Sequence, residues 1–148
     1  MRKKKSVKSN DNSYKFEVKS NMLNHINILH GGELVKHFDN AAGMTAMKFA
    51  EKKVVTASIK EVNFFEKILL DDKVKIKTEI FHVGKSSIYI YAEAFIEATN
   101  KDLIKAAEAF LIFVGIDDNL NSSVVPSLVF DSRLDKLRSE KIKKKFDL

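Results

Sequence analysis

The sequence of 148 residues contains no cysteine, and its only proline is Pro126. The absence of cysteine excludes a disulfide scaffold, a zinc site with Cys ligands and a thiol nucleophile. No apolar run reaches the roughly 18 residues that a membrane-spanning helix needs. The basic first residues lead into polar ones instead of the apolar core of a signal peptide. These absences predict a cytoplasmic protein without a membrane span.

Positive charge is concentrated at the two ends of the chain, whose formal net charge is +6. Residues 1–8 hold five basic and no acidic side chains, and residues 133–148 hold seven basic and three acidic ones. The residues between them carry 14 basic and 17 acidic side chains. Basic ends can contact polyanions, but solvated tails explain them more simply. We therefore predict no nucleic-acid partner.

The overall composition is that of a globular protein, with 45% hydrophobic and 31% charged residues. A chain of this length can bury a single core without disulfides or metals, so one folded domain is expected. We divide the chain into a basic, flexible tail (residues 1–13), a folded domain (residues 14–127) and a basic C-terminal helix (residues 128–148).

One long helix is predicted from Gly32 to about Glu51. Its apolar and small side chains recur at spacings of three and four residues, which places them on one face. They are Leu34, Phe38, Ala41, Ala42, Thr45, Ala46, Phe49 and Ala50. A last helix is indicated by Ser132 and Asp135, which have the spacing of a capping box.

Alternating or continuously apolar segments predict five strands. They cover residues 14–20, 54–65, 73–84, 86–98 and 106–116. Consecutive strands joined by short turns pair antiparallel, and one long helix can cover only one face of a sheet. We therefore expect an antiparallel sheet curled around a single helix, with the remaining face or edge covered in a homodimer.

Several sequence blocks resemble a known family. In order they are NHINILHGGELVKHFDNAAGMTAMKFA, VVTASIKEVNFF, DDKV and VGKSS. They are similar to the successive blocks of the hot-dog-fold acyl-CoA thioesterases, which include the bacterial YciA-type and mammalian cytosolic acyl-CoA hydrolases. The resemblance covers about residues 14–127. It implies an α+β hot-dog fold, in which an antiparallel sheet wraps around one long central helix, with a C-terminal helix added. It also implies hydrolysis of acyl-CoA to a free fatty acid and CoA, a reaction of lipid metabolism.

Three turns depart from the pattern of that family. Asn27 stands where the family usually has Gly, Lys67 where it usually has Pro, and Asp71-Asp72 where it usually has Gly-Asp. Asn tolerates a positive φ almost as well as Gly does. Because all three departures lie in turns, the expected fold is unchanged.

The start of the long helix suits the chemistry that the resemblance implies. Attack on a thioester carbonyl develops negative charge on its oxygen, so the site needs donors there and a carboxylate to activate water or attack directly. A helix N-terminus offers unpaired N–H groups and the positive end of the helix dipole. Gly31 and Gly32 lie there without side chains that would block a ligand. The N–H of Gly32 is the candidate oxyanion donor.

The resemblance also assigns side chains to the reaction. Asp39 matches the family's catalytic acid, the general base or nucleophile, although an exposed helical aspartate is the alternative from its position alone. Asn24 matches the loop asparagine that orients the water or the thioester carbonyl, and Thr56 matches a strand hydroxyl that often lines the site. In the family, the Asn and the Asp of one site come from different subunits. The resemblance thus implies a homodimer with interfacial active sites, and family members often assemble further into a hexamer, a trimer of dimers.

The segment VGKSS resembles the family's CoA-contacting turn. Lys85 would meet phosphate, and Ser86 or Ser87 would hydrogen-bond the pantetheine arm, while an ordinary turn between strands is the alternative. Gly31, Gly84, Lys85, Ser86 and Ser87 are therefore the candidate residues for binding the acyl-CoA substrate. No cofactor is expected, because CoA is part of the substrate.

Three histidines raise the question of a metal site. His25 and His30 lie in the loop and His37 in the helix, where it is expected next to the polar side. No His-x-x-x-His pair or accompanying Glu at ligand spacing occurs, so no metal is predicted.

Other functions of the same fold remain alternatives. One is an acyl-carrier-protein thioesterase or a dehydratase, but dehydratases of this fold generally pair a His with an acid in the helix, and the matched position here is Asn24. Another is a non-catalytic regulator that binds acyl-CoA. Such regulators normally carry a DNA-binding helical domain, which residues 1–8 are too few to build.

Overall fold

The computed structural model describes residues 2–6 and 13–148. Seven strands and two α-helices follow one another in these parts of the chain. They are β1 (Lys4–Ser6), β2 (Ser13–Glu17), α1 (Gly31–Ala50), β3 (Val54–Phe64), β4 (Lys73–Val83), β5 (Ser87–Glu97), β6 (Leu103–Gly115), β7 (Ser127–Val129) and α2 (Arg133–Lys145). A short 3-10 helix, Ser20–Met22, precedes α1.

Five of the strands form one antiparallel sheet in the order β2-β4-β5-β6-β3. The alternation of β4 explains its two faces, because Val74, Ile76 and Thr78 are buried whereas the lysines between them are exposed or half-buried. Strands β2 and β3 form the two edges. The edge at β3 is 11 residues long and leaves backbone groups open to a further strand.

Helix α1 covers one face of the sheet and builds the main core with it. The largest buried side chains of this core include Leu34 and Phe38 of the helix with Ile76, Ile90 and Leu111 of the sheet. Burial of each such side chain contributes roughly 1.5–3 kcal/mol. The helix ends at Ala50, and Glu51 follows it in the left-handed conformation with φ 55°.

Helix α2 packs on the opposite face of the sheet. Ile142 and Phe146 of this segment form a second apolar cluster with Phe81, Tyr91 and Phe110. The Phe146 ring lies 4.6 Å from that of Phe110 between centroids. This second cluster covers part of the face that α1 leaves open.

A buried ion network joins the end of α2 to the sheet. Glu108 is 2% exposed, and its Oε1 accepts hydrogen bonds from Lys105 Nζ at 2.8 Å, Lys145 Nζ at 2.6 Å and the Tyr91 hydroxyl at 2.8 Å. Burial by itself would raise the pKa of Glu108. The hydrogen bonds from Lys105, Lys145 and Tyr91 outweigh it and hold the pKa at about 2. The carboxylate is therefore ionised and pins α2 in place.

The predicted architecture, a sheet wrapped around one long helix with a C-terminal helix added, is confirmed. Ser132 caps α2 as predicted, since its side chain accepts from the Asp135 N–H at 3.1 Å. Among the described residues, no helix is both long and apolar enough to cross a membrane.

The basic start of the chain differs from the expected flexible tail. Lys4–Ser6 forms β1, which pairs in parallel with β7 and thereby ties the start of the chain to the segment before α2. Lys5 Nζ also donates to the carbonyl oxygens of Lys48 and Phe49 at the end of α1. Residues 4–6 are thus part of a strand pair, and the division of the chain into a tail, a domain and a helix stays a prediction. Residues 1 and 7–12 of that tail lie outside the described residues, and the boundary at residue 127 stays a prediction.

Candidate active site

Asp39 and Thr56 are brought together by the packing of α1 beside β3. The hydroxyl of Thr56 donates to Asp39 Oδ1 at 2.6 Å, and Asp39 is half-buried. This short charge-assisted hydrogen bond fixes the plane of the carboxylate. No hydrogen bond to Oδ2 occurs among the described residues.

Asn24 is held by the loop in which it lies. Its Oδ1 accepts from the N–H groups of Ile26 at 3.0 Å and Ile28 at 3.2 Å, and Asn27 completes the turn with φ 61°. The Asn27 departure from the family pattern is thus accommodated by a positive φ, as predicted. Because the loop occupies the oxygen of Asn24, its side-chain NH₂ group is the part that can donate to a ligand.

The start of α1 presents one occupied and one open N–H group. The N-cap residue is His30, whose Nδ1 accepts from the Gly32 N–H at 3.0 Å. The Gly31 N–H has no acceptor among the described residues. A carbonyl oxygen that binds the Gly32 N–H must therefore displace the His30 ring. The Gly31 N–H can donate to such an oxygen without any displacement. Gly32 as the oxyanion donor stays a prediction.

The turn Gly84 to Ser87 lies at the other end of the sheet from Gly31. Several of its backbone groups are hydrogen-bonded: the Gly84 N–H donates to Ser87 O at 2.8 Å, Lys85 O accepts from the Val125 N–H at 3.0 Å, and Ser86 O accepts from the Gly115 N–H at 2.9 Å. The Lys85 side chain is exposed, and those of Ser86 and Ser87 are half-exposed. The turn is thus rigid, and its side chains remain available to a ligand.

The candidate residues form two groups in the described parts of the chain. Asn24, Gly31 and Gly32 lie at the N-terminal end of α1, where a Cβ on Gly31 would be 3.4 Å from the Phe64 ring. Thr56, by contrast, lies near the start of β3, the end of the sheet that also holds the turn at Gly84. No hydrogen bond between Asn24 and Asp39 occurs among the described residues. The described residues thus place the candidates in two separate groups.

Of the three histidines in this segment, His30 and His37 make local contacts. His25 and His30 are exposed, whereas His37 is 8% exposed, so its expected place next to the polar side is wrong. The His37 Nδ1 bonds the Tyr14 hydroxyl at 2.8 Å, and its ring stacks on Phe16 with 3.7 Å between centroids. Burial, followed by the charge of Lys36, lowers the pKa of His37. In the described parts of the chain, no three His, Asp or Glu side chains are placed to hold a metal ion.

Two of these contacts were not predicted from the sequence. A sequence signal for the cap by His30 was present, because His30 immediately precedes the two glycines that start the helix. No sequence signal pointed to the pairing of His37 with Tyr14. This contact depends on where the edge strand β2 packs, and Tyr14 is 23 positions from His37 in the chain.

Comparison with known proteins identifies the family. The model of the Thioesterase superfamily matches residues 26–102, so the chain belongs to this superfamily, and the predicted resemblance is confirmed. An uncharacterized acyl-CoA thioester hydrolase of Bacillus subtilis is 32% identical over 111 residues, which cover 72% of this chain and 62% of the relative. The human cytosolic acyl coenzyme A thioester hydrolase is 28% identical over 122 residues, which cover 80% of this chain and 32% of the relative. The chain thus spans less than two thirds of the length of these two relatives.

Solved structures support the hot-dog fold over nearly the whole chain. The acyl-CoA hydrolase of Staphylococcus aureus, in complex with butyryl coenzyme A, coenzyme A and coenzyme A disulfide, superposes with a TM-score of 0.88 and 27% identity. The match covers 97% of this chain and 88% of that one. Variants of the same enzyme, with alanine in place of one Asn, one Asp or one Thr, superpose with TM-scores of 0.89, 0.87 and 0.86.

Proposed function

We propose that the protein is an acyl-CoA thioesterase that hydrolyses acyl-CoA to a free fatty acid and CoA. The observation that carries this proposal is the hydrogen bond of 2.6 Å from Thr56 to Asp39, which leaves the other carboxylate oxygen without a hydrogen bond among the described residues. Superfamily membership and the names of the relatives support the same reaction.

The spacing of the candidate residues supports these roles. In the Staphylococcus aureus hydrolase, the Asn and the Asp that were replaced by alanine are fifteen residues apart, and the Asp and the Thr are seventeen apart. Asn24 and Asp39 are also fifteen residues apart, and Asp39 and Thr56 are seventeen apart. We therefore assign Asn24, Asp39 and Thr56 to one catalytic site.

In the proposed reaction, Asp39 takes a proton from water through Oδ2, and the hydroxide adds to the thioester carbon. The carbonyl oxygen becomes negative and accepts from the N–H groups at the start of α1 and from the NH₂ group of Asn24. When the C–S bond breaks, the CoA thiolate takes up the proton. The other route is direct attack of Oδ2 on the carbonyl carbon, with water then cleaving the anhydride. Both routes need the Oδ2 oxygen of Asp39.

We further propose that the two groups of candidate residues meet in a homodimer. The β3 edge and the neighbouring surface of α1 expose Met44 (61%), Met47 (51%) and Val55 (45%), which a second copy would cover. Antiparallel pairing of two β3 strands would set the Phe64 end of one beside the Val54 end of the other. The Asn24 group of one protomer would then face the Asp39 and Thr56 pair of its partner. Further assembly into a trimer of dimers stays a prediction.

The CoA moiety is proposed to lie along the turn Gly84 to Ser87. This turn is at the end of the sheet where β3 starts, on the same side of the proposed interface as Thr56. Lys85 would contact phosphate, and Ser86 or Ser87 the pantetheine arm, while no separate cofactor is required. A cytoplasmic location is also proposed, and it agrees with the name of the human cytosolic relative.

The test is release of free CoA thiol from acyl-CoA by the purified full chain and by Asp39→Ala. Loss of the general base is expected to lower kcat by a factor on the order of 100–10,000. CoA affinity should stay within about twofold, because Asp39 faces the carbonyl and not the CoA moiety. Asn40→Ala, at the exposed neighbouring position on α1, is the matched control and should keep full turnover. Wild-type turnover by Asp39→Ala would refute the assignment, and binding without turnover by the wild-type chain would favour the regulator.

A further inference from the structure

The outward face of α2, the side that points away from the sheet, carries two exposed leucines. Leu134 is 72% exposed and Leu137 is 48% exposed. Because side chains three positions apart are neighbours on a helix surface, the two leucines form one small apolar patch. Exposed leucines by themselves are an ordinary surface feature, so the charges around them decide what this face can bind.

The opposite face of α2 is occupied by contacts with the sheet. Ile142 is buried there in the second apolar cluster. The Ser139 hydroxyl donates to the carbonyl oxygen of Phe81, and Lys145 Nζ donates to Glu108 Oε1 at 2.6 Å. These contacts hold α2 at its middle and at its end. The rotation of the helix is therefore fixed, with its leucines outward.

Basic side chains surround the two leucines on the outward face. Helical spacing places four exposed basic residues on the same side of α2 as the leucines. They are Arg133, Lys136, Lys141 and Lys144. Glu140 is the acidic residue of α2 on that side. In the described parts of the chain, the ion pairs of α2 are made by Arg138 and Lys145, so these four positive charges are not neutralised within the protein.

This combination of charge and apolar surface decides which partner fits. A second copy of the same face would bring two sets of positive charges together, which is unfavourable. A nucleic acid would match the charges but would leave the leucines in water. A membrane with anionic lipids matches both, because its headgroups attract lysine and arginine and the region beneath them accepts apolar side chains. The long lysine side chains can reach the headgroups while the leucines lie deeper.

We infer that the outward face of α2 binds to the surface of membranes that contain anionic lipids. The helix lies in the plane of the surface, with Leu134 and Leu137 at the boundary between the headgroups and the acyl chains. Such binding needs no membrane-spanning helix. The interaction goes beyond the proposed hydrolysis and does not depend on it.

Co-sedimentation of the full chain with lipid vesicles tests this inference. One set of vesicles contains equal parts of phosphatidylglycerol and phosphatidylcholine, and the other contains phosphatidylcholine alone. Leu134→Gln/Leu137→Gln removes the apolar contacts, and Lys141→Gln/Lys144→Gln removes two positive charges. All four positions are exposed, so circular dichroism melting should show the wild-type fold for both variants.

Each variant has a matched control outside α2. Leu70→Gln/Leu120→Gln replaces two leucines of almost the same exposure, because Leu70 is 47% exposed and Leu120 is 74% exposed. Lys19→Gln/Lys101→Gln changes the net charge by the same amount at two other exposed positions. A separate titration with duplex DNA, and the mass in solution of each variant, test the two other partners.

The wild type is expected to bind the anionic vesicles on the order of 100-fold more tightly than phosphatidylcholine alone, and to dissociate at high salt. The lysine variant should bind roughly 25-fold more weakly, about fivefold for each charge. The leucine variant should bind at least about tenfold more weakly, and both controls should stay within about twofold of the wild type.

Several results would overturn the inference. One is equal binding of the wild type to both vesicles, or to neither of them. Another is a leucine variant that binds as the wild type does, or a control that loses as much as its matched variant. Tighter binding of duplex DNA than of anionic vesicles would identify a nucleic acid as the partner instead. A smaller mass of the leucine variant in solution would show that the leucines are covered by a second copy.

Discussion

At the scale of single residues, the hydrogen bond from Thr56 to Asp39 orients the carboxylate of the candidate site. In the proposed reaction, the bond holds Oδ1 and Oδ2 is the oxygen that acts, so Thr56 positions the carboxylate without joining the reaction. The resemblance identified both residues as site residues. Periodicity alone could not predict that they are in contact, because a helix pattern and a strand pattern do not predict where the two elements cross. The cap by His30 was not predicted, because this residue was considered only as a possible metal ligand.

Replacing Thr56 tests this positioning role. Thr56→Val keeps the shape and removes the donor, so kcat should fall by about 10–100-fold. The free energy of unfolding should change by less than about 0.5 kcal/mol, because Thr56 is exposed. Thr56→Ser restores the hydroxyl and should recover most of the rate. A Thr56→Val variant as active as the wild type would show that the bond has no part in catalysis.

At the scale of elements, α1 and the four long strands were predictable and the attachment of α2 was not. The periods of 3.6 and 2 mark α1 and β3 to β6 locally, and their observed bounds lie within a few residues of the predicted ones. For Glu108, by contrast, the sequence shows only a charged residue within an otherwise apolar strand. Its partner Lys145 is 37 residues away, and Tyr91 is 17 away, so only the folded chain reveals the network. The pairing of β1 with β7 is likewise a long-range contact.

Glu108→Gln tests how strongly the ion network holds α2. The change leaves Lys105 and Lys145 without their shared anion. Because both lysines are partly exposed to water, the expected loss of unfolding free energy is moderate, about 2–4 kcal/mol. Denaturant unfolding measures it, with Glu140→Gln on the exposed side of α2 as the control. Equal stability of the two variants would mean that the network does not hold the helix.

The same network predicts how stability depends on pH. Because the pKa of Glu108 is held at about 2 in the fold, below its ordinary 4.5, the unfolded chain binds more protons between these values. The stabilisation is complete above pH 4.5 and is lost as the pH falls towards 2. The wild type should therefore lose its advantage over Glu108→Gln in this window, and a constant difference between them down to pH 2 would contradict the assignment.

At the scale of the whole molecule, the candidate site residues of one chain lie in two groups. The Asn24 group lies at the start of α1 and the Asp39 and Thr56 pair near the start of β3, and we propose that a second copy pairs with the β3 edge. The sequence indicated a partner because one long helix leaves part of the sheet uncovered. It did not indicate that α2 covers part of the opposite face, and we propose the β3 edge as the surface for that partner.

Mixing two inactive variants tests the interfacial site most directly. Asn24→Ala and Asp39→Ala homodimers are each expected to be inactive, and they are mixed in equal amounts, unfolded and refolded together. If the two residues of a site come from different protomers, half of the dimers are mixed and each has one intact site, so about a quarter of the wild-type hydrolysis of acyl-CoA returns. If both residues come from one protomer, every site keeps a lesion. A refolded mixture that stays inactive, beside wild-type protein that regains activity under the same treatment, would contradict the interfacial site.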